Sequence, residues 1–274
     1  MRKRMTVALA AVLAAGIVGG AWGAFGASIK GVNVAYQADG TNLKGYLAWD
    51  SGVKGKRPGV LVVHEWWGLN EYARSRARML AELGYTALAV DMYGEGKTAS
   101  HPQDAGAFAG EVMRNFPAAK ARFEAALAVL KKHPTVDKRR LAAIGYCFGG
   151  GIVLNMARQG VELDGVASFH GSLGAVEPAK AGGVRARIFV AHGGADSFVP
   201  DDQVEAFKKE MSEAGADLKF IVYPGATHSW TNPDADRYAK EFKMPVAYNP
   251  EQDRKSWEDL KSWLGEIFAR RRRR

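Results

Sequence analysis

From about residue 30 to residue 268 the chain alternates short apolar runs with amphipathic stretches. Residues 30–36 (KGVNVAY) and 43–49 (LKGYLAW) alternate apolar and polar positions with the period of two that half-buried strands show. Asp39-Gly40 between them is a hairpin turn signal. Residues 58–64 (PGVLVVH) form instead a continuous apolar run rich in β-branched side chains. Such a run predicts a strand buried on both faces of a parallel sheet. Helical spacing follows over 71–83 and stops at Gly84. The buried-strand pattern then recurs at 85–90 (YTALAV), 141–146 (LAAIGY), 166–169, 187–192 (RIFVAH) and 218–223 (LKFIVY). Helices are expected between these runs. One region covers 105–133, interrupted near Pro117. Others cover 150–158, ended by Gly160, and 202–214, with Asp201 or Asp202 as N-cap. Residues 251–268 close the chain as an amphipathic helix. Strands alternating with helices predict a mostly parallel sheet covered on both faces, a doubly wound α/β sandwich. No repeat or linker divides it, so one domain is expected over 28–269. Residues 234–248, rich in charge and aromatics, read as an insertion forming a lid or rim.

Ahead of that domain, Arg2, Lys3 and Arg4 precede an apolar run over 5–20. Small residues follow, with cleavage-type patterns at Ala21-Trp22-Gly23 and Ala24-Phe25-Gly26. Residues 1–27 are therefore expected to be an export signal, with an uncleaved anchor as the alternative. The run is short beside the roughly 20 apolar residues of a membrane span. The body is expected to be exported, periplasmic or secreted from a bacterium. The formal net charge is +9. Arg2, Lys3, Arg4 and the five arginines of 270–274 carry eight of those charges. The body is thus nearly neutral. It shows no basic stripe interleaved with aromatics, so nucleic acid is not an expected partner. Membrane contact is expected only through the N-terminal segment or the arginine tail, and the body is expected to be a monomer. With 47% hydrophobic and 24% charged residues, the body cannot be a disordered chain.

The chain has one cysteine, Cys147, which can form no intramolecular disulfide. Its setting is Gly145-Tyr146-Cys147-Phe148-Gly149, directly after a predicted strand and before a predicted helix. Gly-x-Cys-x-Gly is the nucleophile-elbow pattern with cysteine in place of serine. The turn is tight enough to demand minimal side chains on both flanks, and the helix N-terminus favours thiolate. Asp196 ends Gly193-Gly194-Ala195-Asp196 after one predicted strand, and His228 ends Gly225-Ala226-Thr227-His228 after another. In an open parallel sheet, sites form at the carboxyl ends of the strands. Nucleophile, acid, histidine is the chain order of α/β-hydrolase triads. His228 would pair with or deprotonate Cys147, and Asp196 would hold the imidazole in the productive tautomer. Each motif alone is more often packing than chemistry; the weight comes from their order and shared sheet end. His64, inside a strand, is expected in core packing. No metal-ligand spacing and no phosphate-binding glycine loop is present, so no metal and no cofactor is expected.

Four segments together resemble the dienelactone hydrolase family across essentially all of the chain after the signal. They are His64-Glu65-Trp66-Trp67-Gly68-Leu69, Gly145 to Gly150, His192-Gly193-Gly194-Ala195-Asp196 with Val199-Pro200, and Tyr223-Pro224-Gly225-Ala226-Thr227-His228-Ser229-Trp230. The resemblance implies an α/β-hydrolase fold and cleavage of a small ester or lactone through an acyl-thiol intermediate. It also assigns Glu65: in the family a carboxylate at this position contacts the resting cysteine and helps to activate it. The backbone N–H groups of Trp66 and Phe148 are implied as the oxyanion hole, one after the nucleophile and one from the loop after the third strand. Trp66, Trp67, Tyr93, Phe169, His170 and Trp230 all fall near strand ends. Of these, Trp67, Tyr93, His170 and Trp230, with Lys97, are candidates for the substrate pocket. Dienelactone hydrolases proper grip their substrate carboxylate with arginines, one after the fourth strand and one after the catalytic histidine. The corresponding stretches here, 91–97 and 228–232, hold none. Lys97 does not reproduce a bidentate clamp, so dienelactone itself is not the expected substrate. A thioesterase or other acyl-transfer enzyme on the same triad, or a non-catalytic exported binding protein, are the alternative readings. An exported thiolate is open to oxidation, which suggests either a resting thiol shielded by Glu65 and slow to alkylate or a redox sensitivity in use.

Overall fold

The structure is a computed structural model that describes residues 28–270; the expected signal segment, 1–27, and residues 271–274 of the arginine tail lie outside the described residues. In chain order the elements are β1 (Ile29–Ala38), β2 (Thr41–Asp50), β3 (Arg57–Val63), α1 (Glu71–Glu82), β4 (Thr86–Val90), α2 (Pro102–Arg114), α3 (Phe116–Lys132), β5 (Val136–Tyr146), α4 (Phe148–Arg158), β6 (Gly165–Phe169), β7 (Arg187–Gly193), α5 (Asp201–Glu213), β8 (Leu218–Tyr223), α6 (Ala235–Phe242) and α7 (Pro250–Arg270). The strands form one eight-stranded sheet in the order β1-β2-β4-β3-β5-β6-β7-β8. β2 runs antiparallel to both β1 and β4, and every other neighbouring pair is parallel. This is the α/β-hydrolase architecture.

Local chemistry explains the elements. Ala38 pairs with Thr41 across a two-residue turn, and its centre, Asp39 and Gly40, has φ of 50° and 70°. Two left-handed residues give the type I′ turn that an Asp-Gly pair favours. Every residue of β3 is buried. Val60 and Val62 face a core shared with α1 and α7, including Leu80 and Leu264. Leu61 and Val63 face the opposite core, with Phe123 of α3, Ile152 of α4 and Phe207 of α5. A strand with core on both faces has no polar side to show, hence its unbroken apolar sequence.

Three boundaries differ from the sequence expectation. The helical region over 105–133 breaks at Asn115 rather than at Pro117. Asn115 donates its N–H to Glu111 O, closing α2, and its side chain accepts from Ala118 N at 3.4 Å, opening α3. Pro117 lies in the first turn of α3, where a missing N–H costs no helical bond. The N-cap of α5 is Pro200, without a side-chain cap bond; Asp201 and Asp202 sit in the first turn, where they oppose the positive end of the helix dipole. Finally, residues 234–248 contain a helix, α6, that no sequence pattern announced. Its Tyr238 stacks on Trp67 at 4.3 Å, and Ala105, Ala235 and Val246 complete a small apolar cluster. The insertion is thus packed against the loop after β3, at the carboxyl edge of the sheet.

Candidate active site

Cys147 stands between the end of β5 and the first residue of α4, with φ 52° and ψ −116°. A non-glycine residue held there stores about 1–3 kcal/mol of strain, which the surroundings must offset. They do so at its amide: Cys147 N–H is directed at Phe169 O, 2.9 Å away, and at His170 Nδ1, 3.1 Å away. The flanking glycines are required by space. A Cβ on Gly145 would stand 2.0 Å from Gly149 O, and one on Gly149 would stand 2.3 Å from Val63 O. Gly149 N also donates to His64 O at 3.1 Å. That bond ties the start of α4 to the loop after β3, bringing the peptides of Phe148 and Trp66 to the same edge.

Asp196 and His228 come from the loops after β7 and β8. The two loops are stitched together, because Gly194 N donates to Tyr223 O and Ala195 N to Ala226 O, both at 2.9 Å. A Cβ on Gly193 would meet Ala226 O at 2.5 Å, so this approach needs glycine. The result places Asp196 Oδ2 2.9 Å from His228 Nδ1. Both side chains are buried. On its other side the His228 ring interacts with the Cys147 sulfur. Burial works against a charged imidazole, but the Cys147 sulfur and the Asp196 carboxylate outweigh it and push the His228 pKa up to about 10. Such a site favours an imidazolium at His228, between the Asp196 carboxylate and the Cys147 sulfur.

Glu65 is buried, and its two oxygens accept from Ser229 Oγ at 3.1 Å and Asn232 Nδ2 at 2.5 Å. Burial raises its pKa despite these donors. Its hydrogen bonds therefore join the loop after β3 to the His228 loop; the side-chain partner of Cys147 is His228. Sequence reasoning missed the residues that brace this loop. Thr231 Oγ1 meets His170 Nε2 at 2.7 Å and Tyr72 OH at 2.6 Å. Arg76 donates to Thr231 O and to Asp253 Oδ1, both at 2.6 Å. The signals were a short polar run directly after His228 and an arginine, Arg76, within the buried stripe of α1.

A family model described as the dienelactone hydrolase family matches residues 43–268. The chain belongs to that family. Dienelactone hydrolase-type enzymes are carboxylic ester hydrolases, and this one accordingly acts on small-molecule esters or lactones. Among curated proteins it is similar to Protein usf of Aquifex pyrophilus, 30% identical over 224 residues, covering 80% of this chain and 95% of that protein. Among solved structures it is similar to the dienelactone hydrolase-like promiscuous phosphotriesterase P91 from metagenomic libraries, with a TM-score of 0.81 and 33% identity, covering 89% of this chain and all of that one. It is similar also to m3DLH, with a TM-score of 0.83 and 36% identity, covering 88% of this chain and 99% of that one.

Within this dienelactone hydrolase family member, the pocket candidates separate. Trp67, His170 and Trp230 are almost wholly buried. They stand behind the site rather than on its wall, which corrects the sequence expectation. Aromatic residues near strand ends have two uses, and here packing wins. Trp67 packs under α6, Trp230 lies 5.0 Å from the His170 ring, and His170 braces the Cys147 amide. With Nδ1 accepting that N–H, His170 must carry its proton on Nε2, and burial keeps it neutral by pushing its pKa well down. Tyr93 donates to Trp66 O at 2.8 Å and packs on Phe148 at 5.6 Å, so it props both residues expected to supply oxyanion-hole N–H groups. Lys97 is exposed beside a small recess with Phe108 and Glu111. Its loop pairs with the loop after β3 through Ala99 N to Trp67 O, at 3.0 Å. His64 is a core residue, as expected: Met92 N donates to its Nε2 and its Nδ1 meets Glu65 O. One exposed aromatic was not anticipated. Phe198, 48% exposed, lies against the His228 ring at a centroid distance of 4.9 Å.

Proposed function

We propose that this protein hydrolyses small, uncharged esters or lactones with Cys147 as nucleophile, His228 as proton carrier and Asp196 as its orienting carboxylate. The observation that supports this reading best is the position of His228, hydrogen-bonded to Asp196 on one side and interacting with the Cys147 sulfur on the other. In the reaction, the Cys147 thiolate attacks the substrate carbonyl carbon. A carbon–sulfur bond forms and the carbonyl π pair moves onto oxygen. The N–H groups of Trp66 and Phe148 receive that oxyanion; one such donor is typically worth about 3 kcal/mol in the transition state. As the tetrahedral adduct collapses, the carbon–oxygen bond to the alcohol breaks, and the His228 imidazolium gives the departing oxygen its proton. A thioester remains. His228, now neutral, takes a proton from water as the water oxygen attacks the thioester carbon. Collapse expels the Cys147 thiolate, releases the acid and restores the imidazolium–thiolate pair. Phe198, at the outer face of His228, is placed to contact an apolar part of the ester. The absence of arginine from 91–97 and 228–232 favours a substrate without a carboxylate. Residues 1–27 serve as an export signal or anchor in this reading, and the enzyme acts outside the cytoplasm.

The test is turnover of a chromogenic acetate ester, a set of neutral and acidic lactones and an acyl thioester, in parallel with mass analysis of the acid-quenched enzyme. We expect an acetyl adduct on Cys147 during turnover. We also expect activity to fall at least about a thousandfold in Cys147→Ala and in His228→Ala, as for members of other triads. Turnover that survives Cys147→Ala would overturn the nucleophile assignment. A preference for the thioester would make the enzyme a thioesterase.

A further inference from the structure

The end of the molecule opposite Cys147 carries a surface that hydrolysis does not use. The parallel strands begin there, so the segments leading into β3, β4 and β5 share it with the end of α7. Lys54, Lys56 and Arg140 rim a cleft of about 470 Å³ that also takes in Tyr85 and Phe268. Lys131, Lys138 and Arg139 border a neighbouring cleft of about 350 Å³. Lys54, Lys56 and Lys138 enter no ion pair among the described residues. Arg139, with its side chain 85% exposed, shares Asp137 with Arg140. The other acids nearby are Glu82, at the end of α1, Asp50, beside Arg57, Asp164, which lines the smaller cleft, and Glu162, which faces Arg185. Beside the lysines two apolar side chains project into solvent, Val53 and Leu83. Cations around a few projecting apolar groups suit the interface of an anionic bilayer.

The path of the chain makes the match specific. Ser28 N donates to Asp50 Oδ1 and Ser51 N donates to Ser28 O, so residues 1–27 join the domain at this same end. Phe268 of α7 packs on Tyr85 and Ala269 borders the larger cleft, so the arginines that follow α7 join there too. The residue at which the N-terminal segment joins the domain, the end of α7 from which the arginines continue, and a basic cleft therefore share one end of the molecule. Cys147, Asp196 and His228 occupy the other.

We propose that this end docks on the surface of a bilayer containing anionic phospholipid and holds the active site facing away from it. The projecting valine and leucine and the adjoining apolar run favour a membrane over a nucleic acid, which would call for cations interleaved with stacking aromatics. The proposal stands on this surface alone and does not depend on the ester chemistry.

The test is co-sedimentation of the full chain with phosphatidylcholine vesicles and with vesicles of phosphatidylcholine and phosphatidylglycerol. We expect stronger binding to the anionic vesicles, weakening as salt rises. Each charge removed from a docking face lowers the partition about fivefold, so Lys54→Gln with Lys56→Gln should lower it roughly 25-fold. Hydrolysis of a soluble ester should be unchanged in that variant. Lys240→Gln with Lys243→Asn removes the same charge from the active-site end and should leave binding nearly unchanged. Equal losses in the two double variants, equal binding to the two kinds of vesicle, or tighter binding to duplex DNA than to the anionic vesicles at the same salt would each overturn the proposal.

Discussion

The protonation of His228 is set by two neighbours that pull the same way against burial. The Cys147 sulfur contributes the larger upward effect, followed by the hydrogen bond that His228 donates to Asp196, and together they carry the imidazole to about 10. Truncating the sulfur tests that ranking. In Cys147→Ser the negative partner is lost, because a serine hydroxyl stays neutral across the accessible range. Burial then faces Asp196 alone. The His228 pKa should fall from about 10 towards the ordinary value of 6.5, read by proton NMR of the imidazole. In the intact protein the ring should stay protonated through neutral pH and titrate only as the solution becomes strongly alkaline. A His228 that still titrates near 10 in the serine variant would assign the charge to Asp196 and leave the thiolate pair without support. The same balance bears on the expectation of a shielded thiol. Glu65 spends its oxygens on Ser229 and Asn232, whereas half-exposed Cys147 has His228 beside it.

At the scale of the elements, the elbow depends on backbone groups passing closer than any Cβ allows. The site where an alanine would put its methyl at Gly145 is 2.0 Å from Gly149 O, a rigid backbone atom at the start of α4. That methyl cannot fit unless β5 and α4 move apart. Gly145→Ala should cost about 3 kcal/mol, at the upper end of overpacking penalties, measured as a shift in the urea midpoint. Activity should fall further than stability, because the displaced helix carries the Phe148 N–H. A folded, active variant would show that the elbow relaxes more freely than its contacts imply. These glycines were legible in the sequence, as were the two-sided strands and the three loops bearing Cys147, Asp196 and His228, because each leaves a local pattern. Thr231, Ser229 and Asn232 were not. Their role depends on partners 61, 164 and 167 positions away in the chain, His170 in the loop after β6 and Glu65 in the loop after β3. Nothing local distinguishes a polar side chain turned inward from one turned to solvent. α6 was hidden for a related reason. Its apolar face is short and acquires meaning only from Trp67, which it covers.

At the scale of the whole molecule, one buried arginine links parts that the sequence keeps far apart. Arg76 leaves α1, donates to Thr231 O in the His228 loop and reaches Asp253 at the start of α7. Its guanidinium lies over the rings of Tyr72, Tyr146 and Trp257 at 5.2, 5.3 and 5.5 Å. Planar, permanently charged and weakly hydrated, arginine suits this enclosure where lysine would not. Through it α1, β5, α7 and the His228 loop share one support, so its removal should reach both stability and catalysis. Arg76→Leu leaves partly buried Asp253 without its cation, and the loss should fall at the lower end, about 3 kcal/mol, of the cost of breaking a buried pair from one side. Arg76→Leu with Asp253→Leu removes the stranded charge and should recover a substantial part of that loss in urea unfolding. The catalytic effect should not recover, because Thr231 O stays without its donor in both variants and the His228 loop remains loose. If kcat for a soluble ester returns together with stability in the double variant, Arg76 supports the fold only. If stability returns and kcat does not, the arginine is a positioning residue, holding from α1 the loop that carries the histidine.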